Sequence, residues 1–317
     1  MAAAQKMGSC LRSLAVLLIS ALTMQGATYY LTVAGLGGTP EYEAQFTKWA
    51  TDLDHELRAN GPDSNILTLT GNGSTRRHIE ETFSRLAATL KGEDAFALLL
   101  IGHGTFDGTD YKFNIPGPDI TAVELASLLD RIPARRQLVV NMTSCSGASL
   151  AALTKKDRIV ITATKSGNEK NATVFTRYWV DALRDPAADT NKNGTVSALE
   201  AFVYAQKKTA AYFESEKLLA TEHAQMNDSG KAGAARDPKP ETGQGLLAAA
   251  FPLLRPEVQK GKSLGPEKQR LVAKKEDLEA KIDRLKYEKA AMPADEYKQQ
   301  LTSLLLELAR TQAEIDR

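Results

Sequence analysis

The stretch LLLIGHGTFDG, residues 98–108, is a run of aliphatic side chains that ends abruptly at His103, between two glycines. An uninterrupted apolar run closed by glycine is typical of a strand buried on both faces of a parallel sheet. An imidazole directly after such a strand is a structural residue, a metal ligand or half of a catalytic pair. Which of these roles His103 has depends on what stands at the ends of the neighbouring strands.

Strands and helices alternate on both sides of this stretch. Apolar runs rich in Val, Ile, Leu and Tyr predict the strands, and apolar residues at helical spacing predict the helices between them. The predicted strands cover 28–38, 65–71, 95–104, 136–145 and 158–165, and the predicted helices cover 41–57, 76–90, 121–132 and 173–184. This order predicts an α/β fold with a mainly parallel sheet covered by helices on both faces.

The composition is that of an ordinary globular protein. The chain has 317 residues, of which 43% are hydrophobic and 25% are charged, and its formal net charge is +1. This length suffices for one large domain and an appendage. Because no cluster of Lys and Arg alternates with aromatic residues, we expect no nucleic-acid partner.

Residues 1–27 resemble a secretory signal peptide. Lys6 and Arg12 give a basic start, the apolar segment 14–22 is too short to cross a bilayer comfortably, and small residues follow. We therefore expect export to the periplasm or the medium, with an uncleaved membrane anchor as the alternative. Of the two cysteines, Cys10 would leave with the signal, and the mature chain would contain no internal disulfide.

The C-terminal part of the chain changes character twice. Residues 227–256 include a small, polar, Gly- and Pro-rich stretch that predicts a flexible segment after the main domain, 28–226. Residues 257–317 are highly charged, with apolar stripes interrupted at Pro293, and predict a helical hairpin or short coiled coil. Such a hairpin serves self-association or remains a solvated pair without a partner.

Cys145, the thiol that remains, is predicted to lie beside His103. The two residues end the third and fourth predicted strands, and the carboxyl ends of parallel strands meet at one edge of the sheet. We expect Cys145 to be exposed, with its pKa lowered by backbone N–H groups and the nearby imidazole. A thiolate attacks carbonyl groups, His103 can protonate a leaving amine and then activate water, and the Gly104 N–H can stabilise an oxyanion.

Several stretches resemble the caspase, legumain and gingipain superfamily of cysteine peptidases, in particular bacterial legumain-like proteins. The similar stretches are VAGLGGTPEYE (33–43), LIGHGTFDG (100–108), TSCSGAS (143–149) and LLATEHAQMNDSGKAG (218–233). His103 precedes Cys145 by about 40 residues, close to the spacing in caspases. The resemblance implies a caspase-like fold and a cysteine endopeptidase that acts on peptides or proteins through a thioester acyl-enzyme, without a catalytic cofactor.

The same resemblance implies roles for individual residues. Cys145 and His103 form the catalytic dyad, and the backbone N–H groups of Gly104 and Cys145 form the oxyanion hole. Legumains carry an Arg-His pair after the first strand that helps to bind an Asn side chain, whereas this chain has GLGG at 35–38. The preference for Asn is therefore not carried over, and ligation remains an alternative to hydrolysis, because an amine can capture an acyl-enzyme as water does.

Two other functions remain open. TSCSG, residues 143–147, nearly matches the nucleophile elbow of α/β-hydrolases, in which the catalytic base follows the nucleophile along the chain. His223 would be that base in a Cys-dependent α/β-hydrolase. Alternatively, the domain is a catalytically dead scaffold whose helical hairpin recruits partners, and Cys145 then reacts with no peptidyl electrophile.

The stretch DTNKNGTVSALE, residues 189–200, matches the twelve-residue calcium loop, with Gly194 at the sharp turn. The expected ligands are Asp189, Asn191, Asn193, the Thr195 carbonyl, Ser197 through water and bidentate Glu200. Because only two of these side chains are anionic, the affinity should be weak. The loop predicts a structural calcium ion that stabilises the fold, and the alternative is a metal-free loop held by its own Asx turns.

Overall fold

The computed structural model describes residues 26–59, 65–239, 243–254, 265–289 and 292–316. Its strands are β1 (Thr28–Ala34), β2 (Ile66–Leu69), β3 (Ala95–Ile101), β4 (Gly104–Phe106), β5 (Tyr111–Phe113), β6 (Ile120–Thr121), β7 (Arg136–Asn141), β8 (Arg158–Thr162), β9 (Val196–Ser197), β10 (Gln225–Asn227) and β11 (Pro252–Leu254). Its helices are α1 (Pro40–Arg58), α2 (Arg76–Thr89), α3 (Ala122–Asp130), α4 (Leu150–Leu153), α5 (Phe175–Ala182), α6 (Ala198–Ser215), α7 (Leu246–Ala249), α8 (Pro266–Glu288) and α9 (Ala294–Ile315).

The main sheet has six strands in the order β10-β8-β7-β3-β1-β2. All neighbours pair in parallel except β10, which runs antiparallel to β8 at one edge. The chain leaves β1 towards β2 and later returns to the other side of β1 at β3. In a doubly wound sheet this reversal opens a crevice beyond the carboxyl ends of the two strands, where ligands bind. The turn after β1 and His103 after β3 border that crevice.

Helices cover both faces of the sheet, and the side chains of each strand point alternately to the two layers. On β3, Leu99 and Ile101 belong to the apolar core shared with α1, α5 and α6. Leu98 and Leu100 belong to the opposite core, shared with α2 and α3. The predicted α/β class, with a mainly parallel sheet covered on both faces, is confirmed.

Strand β5 belongs to a separate three-stranded antiparallel sheet, β4-β5-β6. This small sheet continues directly from the end of β3, because only Gly102 and His103 separate the two strands. Asn114 N–H donates to the His103 carbonyl at 3.1 Å and fixes the backbone at that junction. The small sheet therefore holds the residues that follow β3 against the edge of the main sheet.

The segment 227–256, predicted to be flexible, contains strand and helix residues in its described part. Asn227 ends β10, and β11 pairs with β9. The buried Asp228 carboxylate accepts the N–H groups of Gly245 at 2.7 Å and Leu247 at 2.9 Å, and so caps α7. The small and polar residues form capped turns here, a role that their composition does not distinguish from mobility.

The predicted C-terminal hairpin is present as α8 and α9. Leu278, Ile282 and Leu285 of α8 and Ile315 of α9 are buried. An ion pair between Lys274 and Glu307 joins the two helices at 2.9 Å. Residues 257–264 of the predicted hairpin segment lie outside the described residues, and so do residues 1–25 of the predicted signal peptide. In the described part of the chain, no helix is both long and apolar enough to cross a membrane.

Candidate active site

The ends of β3 and β7 are joined by side-chain hydrogen bonds at the carboxyl edge of the sheet. Gly104 N–H donates to Ser144 Oγ at 3.1 Å, and Ser144 Oγ donates to the Gly104 carbonyl at 3.1 Å. A Cβ atom on Gly104 would lie 2.5 Å from the Ser144 carbonyl oxygen, so the close approach needs glycine. His103 directly precedes this contact on one strand and Cys145 directly follows it on the other. The structure thus brings the backbones of the two predicted catalytic residues together.

His103 is half-buried in the crevice beside the turn after β1. Its ring meets the rings of Tyr42 and Phe46 edge-on, at centroid distances of 4.9 and 5.1 Å. Burial lowers the pKa of His103, and a hydrogen bond to the Gly37 backbone partly opposes this effect by raising it. A bond that favours the protonated form identifies the imidazole N–H as the donor and the Gly37 carbonyl as the acceptor. His103 is therefore an oriented, neutral imidazole at neutral pH, with its other ring nitrogen able to accept a proton.

Cys145 occupies the strained turn between β7 and a short 3-10 turn that leads into α4. Its φ of 58° lies in the left-handed region, which is unusual for a residue with a side chain. Cys145 as a residue is only 2% exposed. Burial raises the pKa of the Cys145 thiol, although the Lys170 charge and the Phe106 N–H act in the opposite direction. The expected exposed thiol with a lowered pKa is wrong for this conformation, because neighbouring loops exclude water from the sulfur.

Both predicted oxyanion donors are already engaged. Gly104 N–H donates to Ser144 Oγ, and Cys145 N–H donates to the Glu169 carbonyl at 2.8 Å. An oxyanion hole needs donors directed at the position of the developing charge. In this conformation, Gly104 and Cys145 therefore do not form an open oxyanion hole.

The His103 ring and the Cys145 thiol face different surroundings. The ring lies against α1, on the side of the core that contains Phe46. Cys145 belongs to the opposite core, and the partner of its sulfur is the Phe106 N–H. Within the described residues, no hydrogen bond joins the imidazole to the thiol. The two groups are neighbours along the sheet edge, but the structure does not bring them into contact.

His223, the predicted alternative base, is hydrogen-bonded to Glu169. The Nδ1 atom of His223 contacts Glu169 Oε1, and the His223 backbone N–H donates to Glu169 Oε2 at 3.1 Å. Lys165 N–H donates to the same Oε2 at 2.8 Å. Because the Glu169 carbonyl also binds Cys145 N–H, a continuous chain of contacts links His223 to the thiol-bearing turn. Sequence reasoning missed Glu169, which lies in an apparently ordinary loop and is far from both partners along the chain.

Glu222 is a second acidic residue at this edge that sequence reasoning missed. It is 5% exposed, and its Oε1 accepts Val174 N–H at 2.8 Å at the start of α5. Burial raises the pKa of Glu222 to about 7, and the nearby Glu169 also raises it, although backbone N–H donors lower it. Its Oε2 is buried and has no hydrogen-bond partner among the described residues. The neutral acid is therefore substantially populated near neutral pH.

The calcium-type loop is held by bonds between its own groups. Asp189 accepts Asn193 N–H at 3.1 Å and Gly194 N–H at 2.9 Å, and Asn193 Oδ1 accepts Thr195 N–H at 2.8 Å. These Asx turns are the bonds expected of the metal-free alternative. The same turns also direct side-chain oxygens into the loop, as calcium binding would require. The donor types suit calcium.

Glu200 is the ligand whose present position fits calcium least well. Its Oε2 accepts Ser197 N–H at 3.0 Å in the capping box of α6, and its Oε1 accepts Thr190 N–H at 3.0 Å. Bidentate binding would require Glu200 to give up these bonds. No group of three or more His, Cys, Asp or Glu side chains suited to a metal occurs among the described residues. Lys275 of α8 also reaches the loop, where it donates to the Asn193 carbonyl at 3.2 Å.

Comparisons with known proteins give similar structures but no related sequence. No protein-family model matches the chain, and no curated protein matches it. Caspase-1 of Spodoptera frugiperda has a TM-score of 0.47 at 11% identity, with 64% of this chain and 87% of that chain covered. The Drosophila initiator caspase Dronc has a TM-score of 0.41 at 13% identity, with 65% and 80% covered.

A third similar structure is a protein of Geobacter sulfurreducens from a structural-genomics programme. Its TM-score is 0.42 at 14% identity, with 68% of this chain and 97% of that chain covered. Similarities at this level assign neither an activity nor a catalytic residue to this chain. Its α/β class follows from its own sheet and helices, and any catalytic role must be argued from the strand ends.

Proposed function

We propose that the protein is a cysteine endopeptidase in which Cys145 is the nucleophile and His103 is the general base. The observation that supports this proposal is the double hydrogen bond between Gly104 and Ser144, the residues that adjoin His103 and Cys145, at the edge where doubly wound sheets bind ligands. The substrate class is a peptide or protein, and catalysis needs no cofactor. The legumain-like character and the residue preferred before the cleaved bond belong to this proposal.

The proposed reaction begins when His103 takes the thiol proton and the sulfur attacks the scissile carbonyl carbon. The C–N bond then breaks, His103 gives the proton to the leaving amine, and a thioester to Cys145 remains. His103 next takes a proton from water, whose oxygen attacks the thioester, and the proton returns to the sulfur as the acid is released. The lowered pKa of His103 suits the first step, because the imidazole must be neutral to accept a proton.

Productive attack requires a rearrangement at the thiol. The sulfur must become accessible, the Cys145 N–H must leave the Glu169 carbonyl, and the ring must approach the sulfur. Catalytic hydrogen bonds are often absent before substrate binds and form only in the complex. The conformation described here is therefore proposed to be the closed form of the enzyme.

The test is cleavage of a diverse peptide library by the wild-type protein, with products identified by mass spectrometry. Cys145→Ala is expected to abolish cleavage, and His103→Ala to lower kcat/KM by about a thousandfold or more. His78→Ala, which changes a histidine on α2, is the matched control and should leave the rate unchanged. Library cleavage that persists in Cys145→Ala contradicts the proposal.

A Cys-dependent α/β-hydrolase remains the second candidate, favoured by the His223–Glu169 pair. Cys145, Glu169 and His223 follow the order nucleophile, acid, histidine that is known from α/β-hydrolases, and Cys145 sits on a strained strand-to-helix turn. Exchanging each histidine for Ala separates the candidates. The peptidase proposal requires that His103→Ala removes turnover, whereas the alternative requires that His223→Ala does.

Export and calcium binding complete the proposal. We propose that residues 1–27 are removed on export, which intact mass measurement of protein from the cell envelope or medium can check.

We also propose a structural calcium ion at the loop 189–200. Calcium at ten times its dissociation constant should stabilise the fold by about 1.4 kcal/mol and raise the melting temperature, with little change in initial activity. A melting temperature that does not respond to calcium or a chelator contradicts the calcium proposal.

A further inference from the structure

The loop between β8 and α5 lies directly over the proposed nucleophile. Residues 165–170 are called the cover loop. The Glu169 carbonyl in this loop accepts Cys145 N–H at 2.8 Å. Gly167 lies so close to Phe106 that a Cβ atom there would be 2.2 Å from the ring atom Cδ1. Because the Phe106 N–H binds the thiol, the cover loop closes over the sulfur and its hydrogen-bond partner together.

The Glu169 carbonyl occupies a donor that catalysis would need. In the proposed reaction, the Cys145 N–H stabilises the oxygen of the scissile carbonyl as it becomes an oxyanion. Here the same N–H is bound to a carbonyl of the protein itself. A substrate therefore competes with the Glu169 carbonyl for this donor. Because Cys145 is only 2% exposed, a substrate cannot reach the sulfur while the cover loop stays in place.

The side chain of Glu169 holds this carbonyl in place. Its carboxylate is about nine-tenths buried and accepts three hydrogen bonds, from the ring and N–H of His223 and from Lys165 N–H. Lys165 Nζ also lies 3.6 Å from Glu169 Oε1. Of these partners, only His223 belongs to another segment of the chain, the one that leads into β10. Among the described residues, the His223–Glu169 pair therefore attaches the tip of the cover loop to the edge of the sheet, and Gln225 of β10 attaches the start of the loop by donating to the Lys165 carbonyl at 3.1 Å.

The base of the cover loop is attached independently. Gly147 N–H donates to Thr164 Oγ1 at 2.8 Å, and Ser146 Oγ lies 3.1 Å from Thr164 N as its acceptor. These bonds hold the strand end before the loop and not its tip. Loss of the His223–Glu169 pair should therefore release the tip while the base and the sheet stay intact.

We infer that the His223–Glu169 pair is an autoinhibitory latch, which holds the cover loop over Cys145 until it is opened. This inference rests on the proposed role of Cys145 as the nucleophile. Opening the latch frees the Cys145 N–H and exposes the sulfur in one movement. His223 and Glu169 act through Cys145 and do not take part in the chemical steps.

The test is the rate at which iodoacetamide alkylates Cys145 in the full-length chain with Cys10→Ser. His223→Ala and Glu169→Ala are each expected to raise this rate at least tenfold, since each removes one half of the latch. His223→Gln retains a donor that can reach the carboxylate and should restore a slow rate. His55→Ala is the matched control, because it removes an exposed histidine paired with Glu56, and it should leave the rate unchanged.

Alkylation rates within twofold of the parent in His223→Ala and Glu169→Ala contradict the latch. If His223→Ala abolishes peptide cleavage without faster alkylation, His223 is the base and the latch is also wrong. If alkylation accelerates while the parent and all variants cleave no peptide, the pair still controls access to the Cys145 thiol, but the proposed peptidase function fails. The two claims thus fail in different ways.

Native-state hydrogen exchange tests the latch in the unaltered protein, so this test does not depend on whether a variant folds. In the unaltered protein, the Cys145 amide is expected to exchange through a local opening that costs less free energy than global unfolding, together with the amides of the cover loop. Exchange of the Cys145 amide only on global unfolding contradicts the latch.

Discussion

The carboxyl ends of β3 and β7 are adjacent and carry the two proposed catalytic residues, yet they differ in nearly every physical respect. The His103 ring is half-buried in the crevice, orientated by a carbonyl and two aromatic edges, and its lowered pKa leaves it neutral. Cys145 is closed off, held in a left-handed turn, with a raised pKa and its N–H bound to Glu169. The His103 imidazole is thus neutral and oriented for proton transfer, whereas Cys145 is shielded from solvent and substrate.

This difference teaches that the two halves of a dyad can be controlled separately. The partners of His103 come from the turn after β1 and from α1, which belong to the packed body of the domain. The Cys145 N–H is bound by the cover loop, whose tip is attached to the segment before β10 by the hydrogen bonds between His223 and Glu169. A change at the cover loop can therefore alter access to the thiol without moving the imidazole.

The largest effect is expected where the two strand ends meet. Gly104→Ala places a methyl group 2.5 Å from both the Ser144 carbonyl oxygen and a Tyr111 ring carbon. Overpacking against backbone should lower the free energy of unfolding by about 3 kcal/mol, as measured by urea denaturation. Gly73→Ala is the control, since a Cβ atom there meets nothing within 4 Å. If the two variants are equally stable, the close contact between Gly104 and Ser144 does not restrict residue 104 to glycine.

The next effect, which reaches a similar size only at the upper end of a pH range, is expected on the Cys145 side at Glu222. The pKa of Glu222 is raised to about 7, so the folded state favours its neutral form. The stability from this form is fully present below the unfolded pKa of about 4.5 and is lost as pH rises through about 7. Glu222→Gln should keep the bond to Val174 N–H and, between those pH values, gain up to about 3 kcal/mol relative to wild type.

The measurement is urea denaturation of wild type and Glu222→Gln from pH 4 to pH 8. Glu216→Gln, which changes an exposed acid at the end of α6, is the matched control. A stability difference between Glu222→Gln and wild type that stays constant across this range contradicts the assignment of a buried, neutral Glu222.

The smallest effect is expected on the His103 side. Tyr42→Ala removes an aromatic edge from the His103 ring and admits water, so the pKa of His103 should rise towards its ordinary value. NMR titration of the ring protons measures this shift, and the acid limb of the activity profile should move to higher pH with it. Tyr297→Ala, on α9, serves as the control. An unchanged or lower pKa of His103 in Tyr42→Ala would show that Tyr42 does not shield the ring.

The sequence predicted the fold well because its main signal is local. The apolar runs at 95–104, 136–145 and 158–165 contain β3, β7 and β8, and the helical spacing at 41–57 and 76–90 marks α1 and α2. Periodicity and strand-end glycines arise from neighbouring residues, so they are visible in one sequence. The strand ends that meet at the sheet edge followed from the parallel arrangement alone.

The environment of the thiol was not predictable from the sequence, because it depends on contacts between distant segments. Glu169 lies in a loop with no motif, and its partners Cys145 and His223 are remote along the chain. The burial of Cys145 also depends on Phe106 from the small antiparallel sheet. Small and polar residues after Asn227 suggested flexibility, but the buried Asp228 carboxylate organises them as a cap. In each case hydrogen bonds between residues that are distant along the chain reverse the local expectation.

The most direct test of the central claim is the reaction of the protein with a peptidyl electrophile, such as a peptide chloromethyl ketone, followed by mass spectrometry of the adduct. The account predicts one adduct at Cys145, formed by the wild type, at least a hundredfold slower in His103→Ala, and not slowed in His78→Ala. An adduct at Cys145 that forms equally fast without the His103 imidazole, or no adduct at Cys145 at all, would contradict a catalytic pair at these two strand ends.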